Sequence, residues 1–253
     1  MSPRLIVGCP VYKRDWILDY WFEKIENQTF PLKDIGFVFE LGYFDDETHD
    51  KLFDWHARHP EVQVFDASVE DDALHHHHAE GHRSWSHDKY RMMVKFRNNL
   101  LQKVRCHNPE KYFSLDSDIL LENKNTIQIL FDLCDHEDID AVCPLMYMTP
   151  RDQNYPSVMT WTGEGVRARR ALEKYQIGSL FQADIIMAAK MMSKPVYDNV
   201  NYDFHSQGED LGWSLRCKEL NYKLWCSSDI YAPHIMSRQM LSEYLVNGDN
   251  RFP

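Results

Sequence analysis

The sequence predicts an α/β fold in which a mainly parallel central sheet is flanked by helices. Apolar segments of strand length alternate with longer segments of helical periodicity from the first residues onward, as in repeated βαβ units. The chain has 253 residues, of which 43% are hydrophobic, and this is enough to form one large core. Because the sequence contains neither an evident linker nor an internal repeat, we expect one domain spanning residues 1–253.

The individual elements follow from apolar periodicity and from the residues that begin and end each segment. The predicted strands are residues 4–9, 35–41, 61–65, 111–115, 139–143 and 223–226. The predicted helices are residues 15–28, 86–105, 125–134, 166–175, 208–220 and 237–246. A further helix is predicted around residues 52–55, with Asp45 and Asp46 before it as caps, and residues 180–189 fit either a helix or a strand.

Two segments break this alternation and are predicted to be loops. Residues 66–85 contain few apolar side chains and include four consecutive histidines at positions 75–78. A contiguous run cannot direct four imidazole rings to one ion from an ordered strand or helix, so we expect a long loop able to cover a site. Residues 146–162 mix Pro, Asn and Gln with Met and Trp, which is typical of loops near a substrate.

Charge and cysteine content narrow the class of protein. The net charge is −11, which disfavours a protein that depends on non-specific phosphate contacts with nucleic acid. Six cysteines without a CxxC pair indicate reduced and mostly buried thiols. The apolar segment after Arg4 has the length of a strand rather than of a signal peptide, and no segment reaches membrane-spanning length. We therefore expect a cytoplasmic protein without membrane insertion, located in the host cytoplasm if its source is viral.

The triplet Asp116-Ser117-Asp118 directly follows an apolar predicted strand. Residues i and i+2 of an extended chain point to the same side, so the two carboxylates could meet one cation. Carboxylate oxygens suit Mg²⁺ and Mn²⁺, and ligands of open α/β sheets bind beyond the carboxyl ends of the strands. An acidic turn is the alternative interpretation, but the apolar strand that runs straight into the triplet favours a divalent-metal site.

A second motif, Gly208-Glu209-Asp210, begins a predicted helix. A helix N-terminus stabilises negative charge, so simple capping would explain the motif alone. Trp213 lies three residues after Asp210 and hence on the same helical face, and an aromatic ring beside a carboxylate is typical of sugar binding. His234 becomes a candidate only together with these two motifs, because a lone His is usually a packed or surface residue.

The order of these motifs resembles the GT-A class of glycosyltransferases, particularly the family-two-like enzymes. The resemblance covers nearly the whole chain and rests on residues 7–12 (VGCPVY), 96–100 (FRNNL), 115–119 (LDSDI), 208–210 (GED) and His234. The chain is more weakly similar to the fungal Anp1/Mnn9 mannosyltransferase group, and residues 8–12 with 16–18 resemble bacteriophage and actinobacterial relatives. The resemblance implies a Rossmann-like GT-A domain with a nucleotide-sugar half (about residues 1–120) and an acceptor half (about residues 121–253).

The resemblance also implies which residues bind the donor, a nucleoside diphosphate sugar such as a UDP- or GDP-sugar. Pro10, Val11 and Tyr12 match the strand end that lines the nucleotide base. Glu40 matches an acidic residue against base or ribose, although the expected Asp-Asp is displaced to positions 45 and 46. The other implied donor contacts are Arg97, Asn98, Asp116 and Ser117.

Metal binding and catalysis are assigned by the same resemblance. Asp116, Asp118 and His234 match the metal ligands, with Asp118 the more direct of the two aspartates. The imidazole tilts the preference from Mg²⁺ toward Mn²⁺. Asp210 matches the catalytic base and Glu209 a supporting group, and a single base with in-line displacement implies inversion at the anomeric carbon.

The acceptor is implied only as a hydroxyl group. Trp213 and Arg169 are the candidate acceptor contacts. Arg169 belongs to the basic stretch at residues 167–170, which could contact an anionic acceptor such as modified DNA. A solvated helix face explains these arginines equally well, and protein or glycan acceptors stay open.

Two alternative classes are compatible with part of the pattern. Haloacid-dehalogenase-like phosphatases also place Asp-x-Asp after an apolar strand, but usually near the N-terminus and with a Thr or Val soon after, whereas here Ile119 and Leu120 follow. A non-catalytic carbohydrate-binding protein could keep the fold, although three retained sites argue against it. Sugar nucleotidyltransferases need a Gly-rich, Arg-containing first loop, which residues 8–11 lack.

Overall fold

The structure is a computed structural model that describes residues 2–42, 46–69, 86–149, 152–161, 169–171 and 179–247. Its helices are α1 (Asp15–Glu26), α2 (Thr48–Arg58), α3 (His87–His107), α4 (Thr126–Leu133), α5 (Lys194–Asn199), α6 (Glu209–Glu219) and α7 (Arg238–Asn247). Its strands are β1 (Leu5–Val11), β2 (Ile35–Leu41), β3 (Phe65–Val69), β4 (Lys111–Leu115), β5 (Ala141–Leu145), β6 (Tyr147–Thr149), β7 (Asp152–Pro156), β8 (Val158–Trp161), β9 (Arg169–Ala171), β10 (Leu180–Ala183), β11 (Ile185–Ile186), β12 (Ala189–Ser193) and β13 (Leu224–Tyr231).

An eight-stranded, mainly parallel sheet forms the centre of the domain. Its strand order is β10-β13-β5-β12-β4-β1-β2-β3. The pairs β1–β2, β1–β4, β2–β3 and β5–β13 are parallel, whereas β12 runs antiparallel to both β4 and β5, and β10 antiparallel to β13. The fold class predicted from the sequence is therefore confirmed.

Helices cover both faces of this sheet and create two cores. Alternate residues of one strand point to opposite faces, so Leu5, Val7 and Cys9 of β1 join one core and Ile6 joins the other. Helices α1, α2, α4 and α7 contribute to the first core, and α3, α5 and α6 to the second. Because both faces are covered, β1, β2 and β4 are buried along nearly their whole length, and β1 and β2 are also almost entirely apolar, which is why they were predictable.

The predicted strand at residues 61–65 is wrong in position, since β3 begins where that prediction ends. The amide of Val62 donates to the carbonyl of His59, so the chain turns there, and Phe65 is the first residue in register with Phe37 of β2. The predicted cap of α2 is partly right: the carboxylate of Asp46 accepts from the amide of Thr48 at 3.1 Å. Position 45 and positions 70–85, including the four histidines, lie outside the described residues.

The segment around residues 146–162 was predicted as loop, but it contains three short strands. β6 pairs with β7, and β8 pairs with β9 and β11 in a small separate sheet. The helix predicted at residues 166–175 is wrong where the structure describes it, because Arg169–Ala171 forms β9 against β8. Residues 180–189 form strands, and α5, which begins with Lys194-Pro195, was missed because its six residues are too few for a periodic pattern.

All six cysteines are free, and five of them are buried, as the sequence predicted. Among the described residues, no helix combines the length and the apolar character needed to cross a membrane.

Candidate active site

The candidate active site lies at the carboxyl edge of β1, β4 and β13. Asp116 follows β4 immediately, and its carbonyl accepts a hydrogen bond from the indole of Trp21 at 3.1 Å. The hydroxyl of Ser117 donates to the carbonyl of Pro10 at 3.4 Å, which joins the triplet to the end of β1. His234 follows β13, and a β-bridge between Ile119 and His234 brings it to the triplet. The sheet topology therefore places three separate sequence motifs together.

Asp118 and His234 face each other across this bridge. Their backbones are fixed by two hydrogen bonds, from the amide of Ile235 to the carbonyl of Asp118 at 2.7 Å and from Leu120 to Pro233 at 3.0 Å. The Oδ1 atom of Asp118 lies 3.3 Å from Nε2 of His234, and both side chains are largely buried. A carboxylate and an imidazole at this separation form a donor pair that suits a divalent transition metal.

Arg14 completes this edge cluster, which we define as Arg14, Asp118 and His234. Its Nη2 atom donates to Oδ2 of Asp118 at 3.1 Å, so the two oxygens of that carboxylate face different partners. Arg14 was not predicted from the sequence. Its position between the end of β1 and the start of the amphipathic helix α1 was a local indication of a site residue. Any residue type can occupy such a position, so the indication did not single out Arg14.

Asp116 belongs to a different group, the buried charge network of Arg97, Asp116, Lys190, Glu209 and Asp210. Arg97 has no exposed surface, and its Nη2 donates to Oδ1 of Asp116 at 2.5 Å. The other terminal nitrogen of Arg97 donates to the hydroxyl of Ser114 at 3.1 Å. Burial raises the pKa of Asp116 although the positive charge of Arg97 opposes that rise.

In this structure Asp116 pairs with Arg97 and Asp118 with Arg14 and His234, so the expectation that both aspartates bind one cation stays a prediction. Residues 116–119 form a turn, closed by a hydrogen bond from the amide of Ile119 to the carbonyl of Asp116, and the alternation rule holds only for an extended chain. Within the described part of the chain, no three His, Cys, Asp or Glu side chains are grouped closely enough to hold a metal ion. The pair Asp118–His234 is what the structure provides.

Glu209 and Asp210 begin α6 and lie at the other end of the buried charge network. Asp210 pairs with the ammonium group of Lys190 and accepts from the amide of Ala188 at 3.0 Å. Burial acts to raise the pKa of Asp210, but the charges of Lys190 and Arg97 outweigh it and the pKa is lowered. Asp210 is thus held ionised by a fully buried cation.

Glu209 has the opposite electrostatic environment. Burial, with the adjacent negative charge of Asp210, raises its pKa from an ordinary 4.5 to about 7. Among the described residues it forms an ion pair with Arg97, at the longer distance of 3.9 Å. Lys190 was also not predicted from the sequence. It is the one charged residue of the mostly apolar strand β12, and a buried charge needs an oppositely charged partner.

Two predicted site residues serve the core instead. Trp213 has no exposed surface and stacks on Tyr202 with ring centroids 5.9 Å apart, so the prediction of a direct acceptor contact is corrected. Asn98 donates to the carbonyl of Tyr202 at 3.0 Å and accepts from its amide at 2.8 Å. Both the nitrogen and the oxygen of the Asn98 side-chain amide are therefore bonded to backbone. Instead of the predicted contact with the sugar donor, Asn98 fixes the segment before α6.

The remaining predicted donor residues lie along the ends of β1 and β2. Val11 is buried, and Tyr12 packs over Gly42, where an added Cβ would lie 2.7 Å from the tyrosine ring. Glu40 is buried and accepts from the side chains of Asn99 at 2.8 Å and Lys103 at 3.0 Å. Arg169 lies away from these strands in β9, in register with Trp161.

This fold and this edge of the sheet define a GT-A-fold glycosyltransferase domain. The match with solved structures supports that class through fold alone, because all identities are low. The chain aligns with a mannosyltransferase of Pyrobaculum calidifontis in complex with GDP-Man and Mn²⁺ (TM-score 0.59, 13% identity, 98% of this chain and 66% of that one). It also aligns with GalNAc-T7 with UDP, GalNAc and Mn²⁺ (TM-score 0.65, 12% identity, 91% and 43% of the chains).

A third structure with this fold is S. aureus TarS in complex with UDP-GlcNAc (TM-score 0.57, 15% identity, 94% of this chain and 61% of that one). The chain belongs to the family described as glycosyltransferase family 25, N-terminal domain, whose model matches residues 2–213. A glycosyltransferase 25 family member of Aedes aegypti is 22% identical over 206 residues, which are 80% of this chain and 33% of that protein. The chain thus spans about a third of the length of this curated relative.

Proposed function

We propose that this domain transfers a sugar from a nucleoside diphosphate sugar to an acceptor hydroxyl and uses a divalent metal ion. The observation that carries the proposal is the Asp118–His234 pair at the carboxyl edge of the sheet, where ligands of open α/β folds bind. Membership of a glycosyltransferase family favours transfer over the phosphatase and the non-catalytic alternatives. Donors named in the structural relatives, GDP-Man and UDP-GlcNAc, support a nucleoside diphosphate sugar without selecting its base.

The donor atoms of the edge cluster fit a divalent ion. Two cis ligands that each lie about 2.1 Å from one ion are about 3 Å apart, close to the 3.3 Å between Asp118 and His234. We assign these two side chains as direct ligands. Asp116, the third ligand implied by resemblance, would bind through its other oxygen while its Oδ1 accepts from Arg97. When bound, the ion would stabilise negative charge on the diphosphate leaving group.

We propose that the donor nucleotide lies along the ends of β1 and β2. Pro10, Val11 and Tyr12 would line the base through backbone and through the exposed part of the tyrosine ring. Glu40 would approach base or ribose at the end of β2, with Lys103 and Asn99 fixing its carboxylate. Arg97 would act through Asp116 on the donor, because its own guanidinium is completely buried.

The base for the transfer would come from the acid pair that starts α6. The acceptor oxygen forms a bond to the anomeric carbon, the bond from that carbon to the diphosphate breaks, and the acceptor proton moves to a carboxylate. One displacement of this kind inverts the anomeric carbon. Asp210 is the base implied by resemblance, but the contacts favour Glu209, because Asp210 is already held by Lys190 and a base works best with a pKa near the operating pH.

The acceptor is proposed only as a hydroxyl group on DNA, protein or glycan. The net charge of −11 disfavours DNA unless a local basic segment contacts it. Residues 167–170 remain the candidate segment, with Arg169 and Arg170 as its described members.

The test of the proposed function is a thermal-shift screen of UDP- and GDP-sugars with and without Mn²⁺, followed by an assay for sugar release. A donor present well above its Kd raises the apparent melting temperature, because it binds only the folded state. We expect stabilisation by at least one donor, larger with Mn²⁺, and metal-dependent hydrolysis of that donor. No stabilisation by any nucleotide, together with phosphate release from p-nitrophenyl phosphate, would overturn the proposal in favour of a phosphatase.

A further inference from the structure

We propose that Arg14 is a resident cation of the donor site, which binds a phosphate of the donor and weakens the hold of Asp118 on metal. The proposal rests on the proposed function in one respect, that the donor carries a diphosphate. It assigns to Arg14 a role that the motifs at residues 116–118, 208–210 and 234 do not include.

The backbone and side chain of Arg14 are fixed in place. It is the residue before α1, and its amide donates to the hydroxyl of the buried Thr48 at 2.8 Å. Its Nη1 atom donates to the carbonyl of Tyr12 at 3.0 Å, at the end of the strand proposed to line the nucleotide. The guanidinium is therefore held between the proposed nucleotide segment and Asp118, where a diphosphate joined to that nucleotide would pass.

One nitrogen of this guanidinium still has capacity to donate. The Nε atom of Arg14 is buried and has no hydrogen-bond partner among the described residues. A buried donor left without an acceptor costs about 1–3 kcal/mol, so a ligand oxygen that reaches it is favoured. Arginine also presents its Nε and terminal nitrogens in a planar fork that matches two oxygens of a phosphate.

Arg97 provides an internal comparison. Its Nε is also buried without a partner in the described part of the chain, but the Arg97 side chain has no exposed surface. The side chain of Arg14 is 18% exposed, so a ligand can approach it. Of these two arginines, Arg14 is the one open to a phosphate.

The same contact affects metal binding. Oδ2 of Asp118 faces Arg14, whereas Oδ1 faces His234, the partner with which it would share an ion. A fixed positive charge beside the ligand oxygens repels a divalent cation, and it attracts an anion at the same place. Removal of the Arg14 charge should therefore change the affinities for metal and for diphosphate in opposite directions.

A misfolded variant would lose affinity for both ligands, so opposite changes in the two affinities cannot come from loss of structure. Mn²⁺ binding without nucleotide is measured by electron paramagnetic resonance, and binding of UDP and GDP in EDTA by titration calorimetry. The variants are Arg14→Gln and Arg14→Lys. The control is Arg238→Gln, because Arg238 is an exposed arginine. It pairs with Asp15, the residue that directly follows Arg14.

We expect Arg14→Gln to bind Mn²⁺ on the order of tenfold more tightly and UDP or GDP in EDTA on the order of tenfold less tightly than the wild type. Arg14→Lys should keep the wild-type Mn²⁺ affinity and lose part of the nucleotide affinity, because it retains charge without the fork. Arg238→Gln should match the wild type in both assays.

Unchanged or weaker Mn²⁺ binding by Arg14→Gln would overturn the metal half of the proposal. Unchanged UDP and GDP binding by that variant, in a wild type that binds them, would overturn the phosphate half alone. If the wild type binds neither nucleotide with or without Mn²⁺, the proposed function fails and the phosphate half fails with it.

Discussion

The edge cluster and the buried charge network lie at the same end of the sheet but are built differently. In the edge cluster, Asp118 is shared between Arg14 and His234, and the arginine and histidine side chains keep some exposure. In the buried charge network, Lys190 and Arg97 have no exposed surface and each pairs with an aspartate. An exposed cation can exchange its partner for a ligand, whereas a fully buried cation mainly fixes geometry and protonation. The Asp116 side chain itself is 23% exposed, so a ligand can still reach this carboxylate.

The comparison is most direct within the triplet itself. Asp116 and Asp118 are two residues apart, yet one belongs to each group, because the chain turns after β4. Asp118 thus lies in the edge cluster, whereas Asp116 pairs with Arg97. Substitutions in one group should therefore leave the properties of the other group largely unchanged.

The largest effect is expected from the base. Glu209→Gln should lower transfer by a factor on the order of 100 or more with donor binding retained, because the proton acceptor is lost. In the wild type, transfer should rise as pH increases through about 7, where Glu209 loses its proton. The measurement is a pH profile of kcat for wild type, Glu209→Gln and Asp210→Asn.

Asp210→Asn separates the two assignments of the base. If Glu209 is the base, this variant keeps a rising pH profile with a midpoint that shifts downward, because one neighbouring negative charge that raises the pKa of Glu209 is removed. Full transfer by Glu209→Gln, with loss only in Asp210→Asn, would return the base to Asp210.

A large loss of stability is expected from Lys190→Met. The substitution leaves Asp210 buried without its cation, and breaking a buried ion pair in this way costs about 3–5 kcal/mol. Urea unfolding measures the free energy change. Lys223→Met is the matched control, since Lys223 pairs with Asp138 on the surface and should leave stability nearly unchanged.

The double variant Lys190→Met with Asp210→Asn should recover part of this loss, because the uncompensated charge is removed together with its partner. A single Lys190→Met variant as stable as the control would show that the pair does not fix the network.

A smaller effect, confined to the edge cluster, is expected from His234→Ala. Loss of one direct ligand should weaken Mn²⁺ binding by about 10–100-fold or more, the range known for the groups that merely orient ligands. Electron paramagnetic resonance of Mn²⁺ measures the affinity. His59→Ala serves as control, because His59 lies beside Glu26 and Glu61 away from the cluster, and equal losses in both variants would contradict the assignment.

The smallest effect concerns stability and pH. The pKa of Glu209 is higher in the folded state, about 7, than its ordinary 4.5, so folding favours the protonated form. The corresponding stability is present at pH below about 4.5 and is lost as pH rises toward 7. Glu209→Gln removes this dependence and should raise the melting temperature by a few °C at pH 8.

At pH 4 the same variant should differ little from the wild type, because both side chains are then neutral. Calorimetric melting curves at pH 4 and pH 8 provide the comparison. A melting-temperature difference that does not grow between these two pH values would contradict the raised pKa.

The fold and part of the site follow from local patterns that the sequence carries. Strands covered on both faces are rich in apolar residues, so β2 and β4 were predicted to the residue and β1 to within two residues at each end. Gly208-Glu209-Asp210 was predicted to open a helix, and α6 begins at Glu209. Short strands such as β9 were not predictable, because three residues carry no period and their pairing with β8 is made in space.

By itself, the sequence determined the α/β class, the position of the triplet at a strand end, and the proximity of charged motifs to one edge of a parallel sheet. Only the tertiary structure decided which charges meet. It separated Asp116 from Asp118 through a turn, placed Arg14 on one oxygen of Asp118, and buried Trp213 and Lys190 behind the site. The physical reason is that periodicity reports which residues are buried, whereas the partner of a charged side chain depends on contacts between residues far apart in the chain.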